Sequence, residues 1–347
     1  MTRIKAGVIG TGFMGSVHAR AIARAGAELV GVVSSRPEQA ARLGAPCHRT
    51  LDTLLDTGVD VVHVCTPNHL HAEQTRQILA AGRHVVCEKP LATDPADAAD
   101  LVSLASASGR VATVPFVYRF HPMVRHLRER IAAGDAGRLL LIRGWYLQDW
   151  LADPADTDWR VDPALGGPSR TFADIGVHWC DLAEFATGHR ITRLIATTST
   201  TTADRPTEDT AALLFETDQG ATGSMTVSQV SLGRKNRLEL FVDGDRTAYG
   251  FSQEEPDTLW TGTRDAVTLL PRGSGLMSPE ALNYSRVPAG HPHGYQDCFD
   301  AFVADTYAAI AGAAPDGLPV FADGARAAAL TAAVLRSAAG GTWVTVS

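Results

Sequence analysis

The stretch GVIGTGFMGSVHARAI, residues 7–22, constrains the fold more than any other part of the chain. A short apolar run ends in Gly10-x-Gly12-x-x-Gly15 and passes at once into a segment with helical spacing. Gly10 permits a tight turn out of a strand, Gly12 lets a pyrophosphate approach the backbone, and Gly15 allows close helix packing. Phe13 and Met14 open that helix, whose N-terminus offers amide donors and a partial positive charge to the same anion. Such glycines are weak evidence alone and strong evidence at the head of alternating strand and helix signals.

That alternation follows. From Ile4 to about Val117, KAGVIG, ELVGVV, DVVHVC, HVVCE and VATVPFV read as strands, and the segments near 15–25, 37–44, 71–81 and 95–108 as helices. The order implies right-handed crossovers and a parallel sheet covered on both faces, so the first half is predicted to be a doubly wound α/β domain. After a helix near 122–133, strands follow strands: LLLIRGWYL, LIATTST, AALLFET, GSMTVSQ, RLELFVD, RTAYGF and AVTLL. Short polar links between them indicate a large, mostly antiparallel sheet. Two helices near 295–311 and 322–338 and a last strand, WVTV, complete an α+β second half.

At 347 residues and 45% hydrophobic content, the chain exceeds one ordinary core. The predicted division is 1–120 for dinucleotide binding and 121–347 for substrate binding and oligomerisation, with the last residues able to pack back on the first domain. A formal charge of −7 and the absence of any Lys/Arg run exclude nucleic acid as a natural partner. No stretch reaches the ~20 apolar residues of a membrane span and the N-terminus does not read as a signal peptide, so the protein is expected to be soluble and cytoplasmic. Five cysteines, at 47, 65, 87, 180 and 298, are too scattered for a disulfide framework or a zinc knuckle.

The second predicted strand ends in Ser34, Ser35 and Arg36, about 20 residues after the glycines, where NAD enzymes carry an acid for the ribose hydroxyl. Hydroxyls and a guanidinium suit a 2′-phosphate, which favours NADP over NAD as cofactor. Thr66, Pro67 and Asn68 end another strand ahead of a helix opening at His71, and such strand ends face the cofactor crevice. A zinc reading of His63, His69 and His71 lacks a closed ligand set. In HVVCEKPLA, Glu88 and Lys89 occupy the carboxyl end of a further strand and Pro90 fixes the turn, which aims Lys89 at a substrate beside the nicotinamide. In FADIGVHWCDL, Asp174 falls at a helix start and His178 four residues on, so both project from one face. Imidazole titrates near neutrality and suits proton transfer.

Together and in order, GVIGTGFMG, CTPNHLHAEQ, GRHVVCEKPLA, YRFHP, DWR, GG…DIGVHWCDL and GHPHGY resemble the Gfo/Idh/MocA oxidoreductases over almost the entire chain. This is also called the glucose–fructose oxidoreductase or inositol dehydrogenase family. The resemblance implies a Rossmann domain followed by an open sheet that lines the substrate site and often forms the interface of a homodimer or homotetramer. It implies that the Lys89–Pro90 bond is often cis, that His178 accepts a proton and that Asp174 orients the substrate. It adds Trp159 and Arg160 as residues that reach toward the nicotinamide, Tyr118 and Arg119 near the substrate, and His291, His293 and Tyr295 in a segment that approaches it. With His71, Glu88 and Lys89 counted as cofactor contacts, the implied reaction is metal-independent hydride transfer between a secondary alcohol of a sugar or cyclitol and the nicotinamide. A non-catalytic dinucleotide-sensing regulator and an NAD-dependent glycosidase on the same fold remain the alternatives.

Overall fold

The computed structural model describes residues 3–346. They form two compact units, the chain up to Val117 with Tyr295–Ala328, and Tyr118–Gly294 with the chain from Ala329 onward.

In the first unit six parallel strands, β1 (Lys5–Ile9), β2 (Glu28–Val33), β3 (Cys47–His48), β4 (Val61–Val64), β5 (His84–Cys87) and β6 (Ala112–Thr113), lie in the order β3-β2-β1-β4-β5-β6. The order turns back at β1, so the carboxyl ends of β1 and β4 flank the switch point where such sheets bind ligands. Strands β4 and β5 have no exposed residue, as burial on both faces requires, and apart from His63 and His84 they are apolar. Helices Phe13–Arg24, His71–Ala80 and Pro95–Ser108 follow β1, β4 and β5. The last starts from the Asp94 side chain, which accepts from the Ala96 amide.

The sequence boundary at 120/121 assigns 295–328 to the other domain, whereas the structure places it here. Helix Tyr295–Ile310 packs on helix Phe13–Arg24, with Phe299 edge-on to His18 at 5.1 Å and Gln296 donating to the Val17 carbonyl. The amide of Val114 also donates to the Pro319 carbonyl. Two short elements that the sequence reading passes over, β3 and helix Leu51–Leu55, complete the unit's edge.

The second unit is built on a nine-stranded sheet made from β7 (Leu139–Leu147), β8 (Ile191–Ser199), β9 (Thr210–Thr217), β10 (Thr222–Ser228), β11 (Arg237–Gly244), β12 (Ala248–Ser252), β13 (Thr258–Gly262), β14 (Val267–Pro271) and β15 (Val344–Thr345). Their order is β14-β13-β12-β11-β7-β10-β9-β8-β15. All pairs are antiparallel except β7 with β10. Alternating burial along β7 and β9 gives the sheet one covered and one open face. Helices Pro122–Ala132 and Val177–Thr187 cover the first, where the fully buried Trp179 donates its indole N–H to the Glu239 carbonyl on β11. On the open face, Leu269, Trp260, Phe241, Leu214 and Ile195 fall in one row of the register across β14, β13, β11, β9 and β8, with Gly250, Arg143 and Ser224 in the same row on β12, β7 and β10. Among the described residues no helix is long and apolar enough to cross a membrane.

Candidate active site

The glycine loop of the first unit has the geometry its spacing predicts. Gly10 adopts φ +97°, a conformation that disfavours any side chain, and a Cβ on Gly15 would collide with the Gly10 carbonyl oxygen. Gly12 caps helix Phe13–Arg24, and a Cβ there would meet nothing within 4 Å. The backbone therefore leaves open space at a helix N-terminus, which fits a dinucleotide pyrophosphate.

At the end of β2, Ser34 is half-buried, and its hydroxyl lies 3.2 Å from Thr11 Oγ1 and accepts from the Arg36 amide at 3.0 Å. Ser35 and Arg36 are exposed. Thr66, Pro67 and Asn68 are half-buried after β4, where the Thr66 hydroxyl donates to Gln74 Oε1 at 2.7 Å.

Two residues expected at the cofactor turn inward instead. His71 is 1% exposed and its ring nitrogens lie 2.8 Å from the carbonyl oxygens of Pro90 and Thr66. Burial lowers its pKa, and those two carbonyls act in the opposite direction. Glu88 is 5% exposed, with one oxygen 2.9 Å from His18 Nε2 and the other accepting from the Lys89 amide at 3.1 Å. Both brace the Thr66 and Lys89–Pro90 turns from within. Lys89 itself is half-buried, and the Lys89–Pro90 bond is cis. His63 is fully buried against His18 and Tyr307.

In the second unit, Asp174 lies in a turn of π-helix, Phe172–Gly176, that runs into helix Val177–Thr187. The sequence predicts an ordinary helix start. Where the turn begins, the buried Glu208 carboxylate accepts from the Ser169 hydroxyl at 2.7 Å and from the amides of Arg170 and Phe172 at 3.1 and 3.0 Å. Both Asp174 oxygens are engaged: Oδ2 accepts from Gln229 Nε2 at 2.7 Å, and Oδ1 lies 3.7 Å from Arg160 Nε. Arg160 is stacked over Trp159 at 4.4 Å and also bonds Asp158.

His178 is 8% exposed, with the Tyr118 ring edge-on at 5.3 Å. The Tyr118 hydroxyl lies 2.5 Å from that of Tyr146, which donates to Asn236 Oδ1 at 2.7 Å. The same oxygen accepts from Gln148. A polar line thus leads away from the imidazole along the ends of β7 and β11.

Arg119 corrects the sequence reading. Only 7% exposed, it forms a two-pronged ion pair with Asp181 and stacks on Phe185 at 5.0 Å, so its charge is committed to the interior. The segment GHPHGY straddles the two units. His291 is exposed and its carbonyl accepts from Arg272, His293 is buried beside His121, and Tyr295 belongs to the first unit, where its hydroxyl donates to Met14 Sδ at 3.8 Å.

Sequence reasoning missed Gln229, Tyr146, Asn236, His18 and Tyr307. A signal existed for His18 alone: it falls with Gly15, Ala19 and Ile22 on the buried stripe of its helix, where a polar side chain requires a partner.

Comparison with known proteins agrees with this fold. Residues 4–116 match the "Oxidoreductase family, NAD-binding Rossmann fold" domain of GFO/IDH/MocA proteins, and residues 124–248 match the GFO/IDH/MocA C-terminal domain. Levoglucosan dehydrogenase of Pseudarthrobacter phenanthrenivorans is 30% identical over 100% of this chain and 99% of that protein. A levoglucosan dehydrogenase structure in complex with NADH and L-sorbose superposes with a TM-score of 0.92 at 30% identity, covering 100% of both chains. An inositol dehydrogenase homolog from Azotobacter vinelandii, complexed with NADH and myo-inositol, gives 0.90 at 30% identity over 99% of this chain and 98% of that one.

Proposed function

The chain belongs to the Gfo/Idh/MocA oxidoreductase family, and from that premise we propose that it is a cytoplasmic NAD(P)-dependent dehydrogenase or reductase of a sugar, sugar derivative or cyclitol. The observation that carries this reading is the helix with Asp174 in its π turn and His178 in the next, Asp174 bonded to the buried Gln229 and His178 packed against the edge of the buried Tyr118 ring. Held carboxylate and imidazole suit one task, recognition of adjacent hydroxyls and removal of a proton from one of them.

A bound nicotinamide cofactor would supply the acceptor or donor of the hydride. The loop Gly10–Gly15 would hold its pyrophosphate, and Ser34, Ser35 and Arg36 would hold its ribose and the 2′-phosphate of the preferred NADP. His178 takes the proton of the hydroxyl on the carbon being oxidised, whose C–H hydrogen leaves as the hydride. Lys89 polarises that oxygen as an ammonium, so no Lewis acid is required. Asp174, steadied by Gln229 and Arg160, accepts a hydrogen bond from a neighbouring hydroxyl. The apolar side chains exposed on the open sheet face, Leu269 and Leu214 among them, support self-association as a homodimer or homotetramer.

The test is nicotinamide absorbance with the purified protein across a panel of sugars, anhydrosugars and inositols, with Lys89→Ala as control. Cofactor turnover that depends on one polyol and on Lys89 is expected. No absorbance change with any of them, together with an inert Lys89→Ala, would defeat the reading. Glycosyl cleavage without net turnover would indicate a glycosidase instead.

A further inference from the structure

Four buried side chains of the first unit form one hydrogen-bonded line that the proposed chemistry does not use. The Tyr307 hydroxyl lies 2.9 Å from His63 Nε2, His63 Nδ1 lies 2.8 Å from His18 Nδ1, and His18 Nε2 lies 2.9 Å from Glu88 Oε1. The second oxygen of Glu88 accepts from the Lys89 amide at 3.1 Å. The members come from helix Tyr295–Ile310, β4, helix Phe13–Arg24 and the residue after β5, and none is more than 5% exposed. Burying a carboxylate, two imidazoles and a phenol is costly unless every polar atom finds a partner.

Desolvation first, and the His18 ring second, hold the His63 pKa well below its ordinary value. The one hydrogen between His18 Nδ1 and His63 Nδ1 can belong to either ring, and in both cases His18 Nε2 is the donor to the Glu88 carboxylate. Glu88 is thereby tied to the core by one oxygen and to the amide of its neighbour by the other.

We propose that His18 is a positioning residue for the reaction, fixing through Glu88 where Lys89 stands. The inference rests on the reading of Lys89 as the group that polarises the substrate oxygen. Without the imidazole, one oxygen of a buried carboxylate loses its donor. Glu88 must then take up a proton or swing toward water, and its bond to the Lys89 amide moves with it.

The chain contains three lysines, Lys5, Lys89 and Lys235, so ¹³C-dimethylation followed by NMR reads Lys89 directly, with Lys89→Arg assigning its signal. His18→Asn cannot reach Glu88, whereas His18→Gln places an amide donor near the position of Nε2. In folded His18→Asn the Lys89 signal is expected to move or broaden while those of Lys5 and Lys235 stay in place. Its kcat should fall about 10–100-fold, as expected for a misplaced group. Its cofactor Kd should change by less than about threefold, which separates positioning from cofactor binding. His18→Gln should recover both signal and rate. An unmoved Lys89 signal, or cofactor affinity lost in step with kcat, overturns the proposal. Should His18→Asn not fold, Tyr307→Phe removes one hydroxyl from the far end and must displace the same signal, or the proposal fails. If the parent protein turns over no polyol and the Lys89 signal still moves, the coupling stands and the assigned reaction falls.

Discussion

Gln229 holds Asp174 in place: its Nε2 donates to Asp174 Oδ2 at 2.7 Å, while its own oxygen accepts from the Thr171 hydroxyl at 3.2 Å. Gln229 is fully buried at the end of β10, so the carboxylate is referred to the sheet as well as to its own helix. A hydrogen bond to a charged group contributes about 1.5–3 kcal/mol, so Gln229→Ala should lower kcat/KM about 10–100-fold. Most of the loss is expected in KM, because Asp174 is assigned to orienting the substrate. Steady-state kinetics on the best polyol check this, and a loss confined to kcat would contradict that assignment.

His178→Ala and Lys89→Met should each lower kcat by about 10²–10⁴, the range expected for a positioned proton-transfer group. Cofactor affinity, measured by fluorescence titration, should survive the first substitution. Wild-type turnover in either folded variant would remove that residue from the mechanism.

Arg36 follows the half-buried Ser34 hydroxyl at the end of β2 and is exposed, free to close on a phosphate. Arg36→Ala should weaken NADPH binding about 10–100-fold through loss of a charge-assisted bond, while NADH changes little. Calorimetric titration of both nucleotides decides the matter, and a parent protein that prefers NADH would remove the basis of the argument.

Asp181→Asn leaves the Arg119 guanidinium buried without its counter-charge. Both side chains are less than 10% exposed, so breaking the pair should cost about 3–5 kcal/mol of stability. Chemical denaturation measures it. Unchanged stability with impaired substrate binding would return Arg119 to the substrate side.

Burial holds His63, His71, His121 and His189 below the ordinary imidazole range, His121 down to about 3. Unfolding restores values near ~6.5, so below that pH the unfolded chain binds more protons than the folded one. The stability they contribute is present above about pH 6.5 and is lost as pH falls toward the folded values. Melting temperature should therefore decline through mildly acidic pH, and His121→Phe, packed between Tyr118 and Phe251, should flatten the decline. A melting temperature independent of pH would contradict these directions.

The sequence discloses what periodicity and short motifs encode. Gly10, Gly12 and Gly15 act within a single turn, and the βαβ rhythm repeats over tens of residues, so both are legible. β3 has only two residues, too few for a period, and β13 hides between turns because TLWTG shows no clear alternation. The inward turns of Glu88 and His71 escape notice because their partners, His18 and the Pro90 carbonyl, lie 70 and 19 residues away. Arg119 misleads for the same reason: a charged residue in a motif looks like a ligand contact until Asp181, 62 residues on, claims it. Gln229 follows a strand of unremarkable polarity, and only the fold brings it to Asp174.

The return of Tyr295–Ala328 to the first unit bears on how this molecule is made. A nascent chain that has emerged as far as Val117 still lacks Phe299 against His18 and Tyr307 against His63. The nucleotide-binding half must therefore wait, partly uncovered, while the ribosome adds β7 to β14 of the large sheet, and it completes its interior only once Tyr295–Ala328 has emerged.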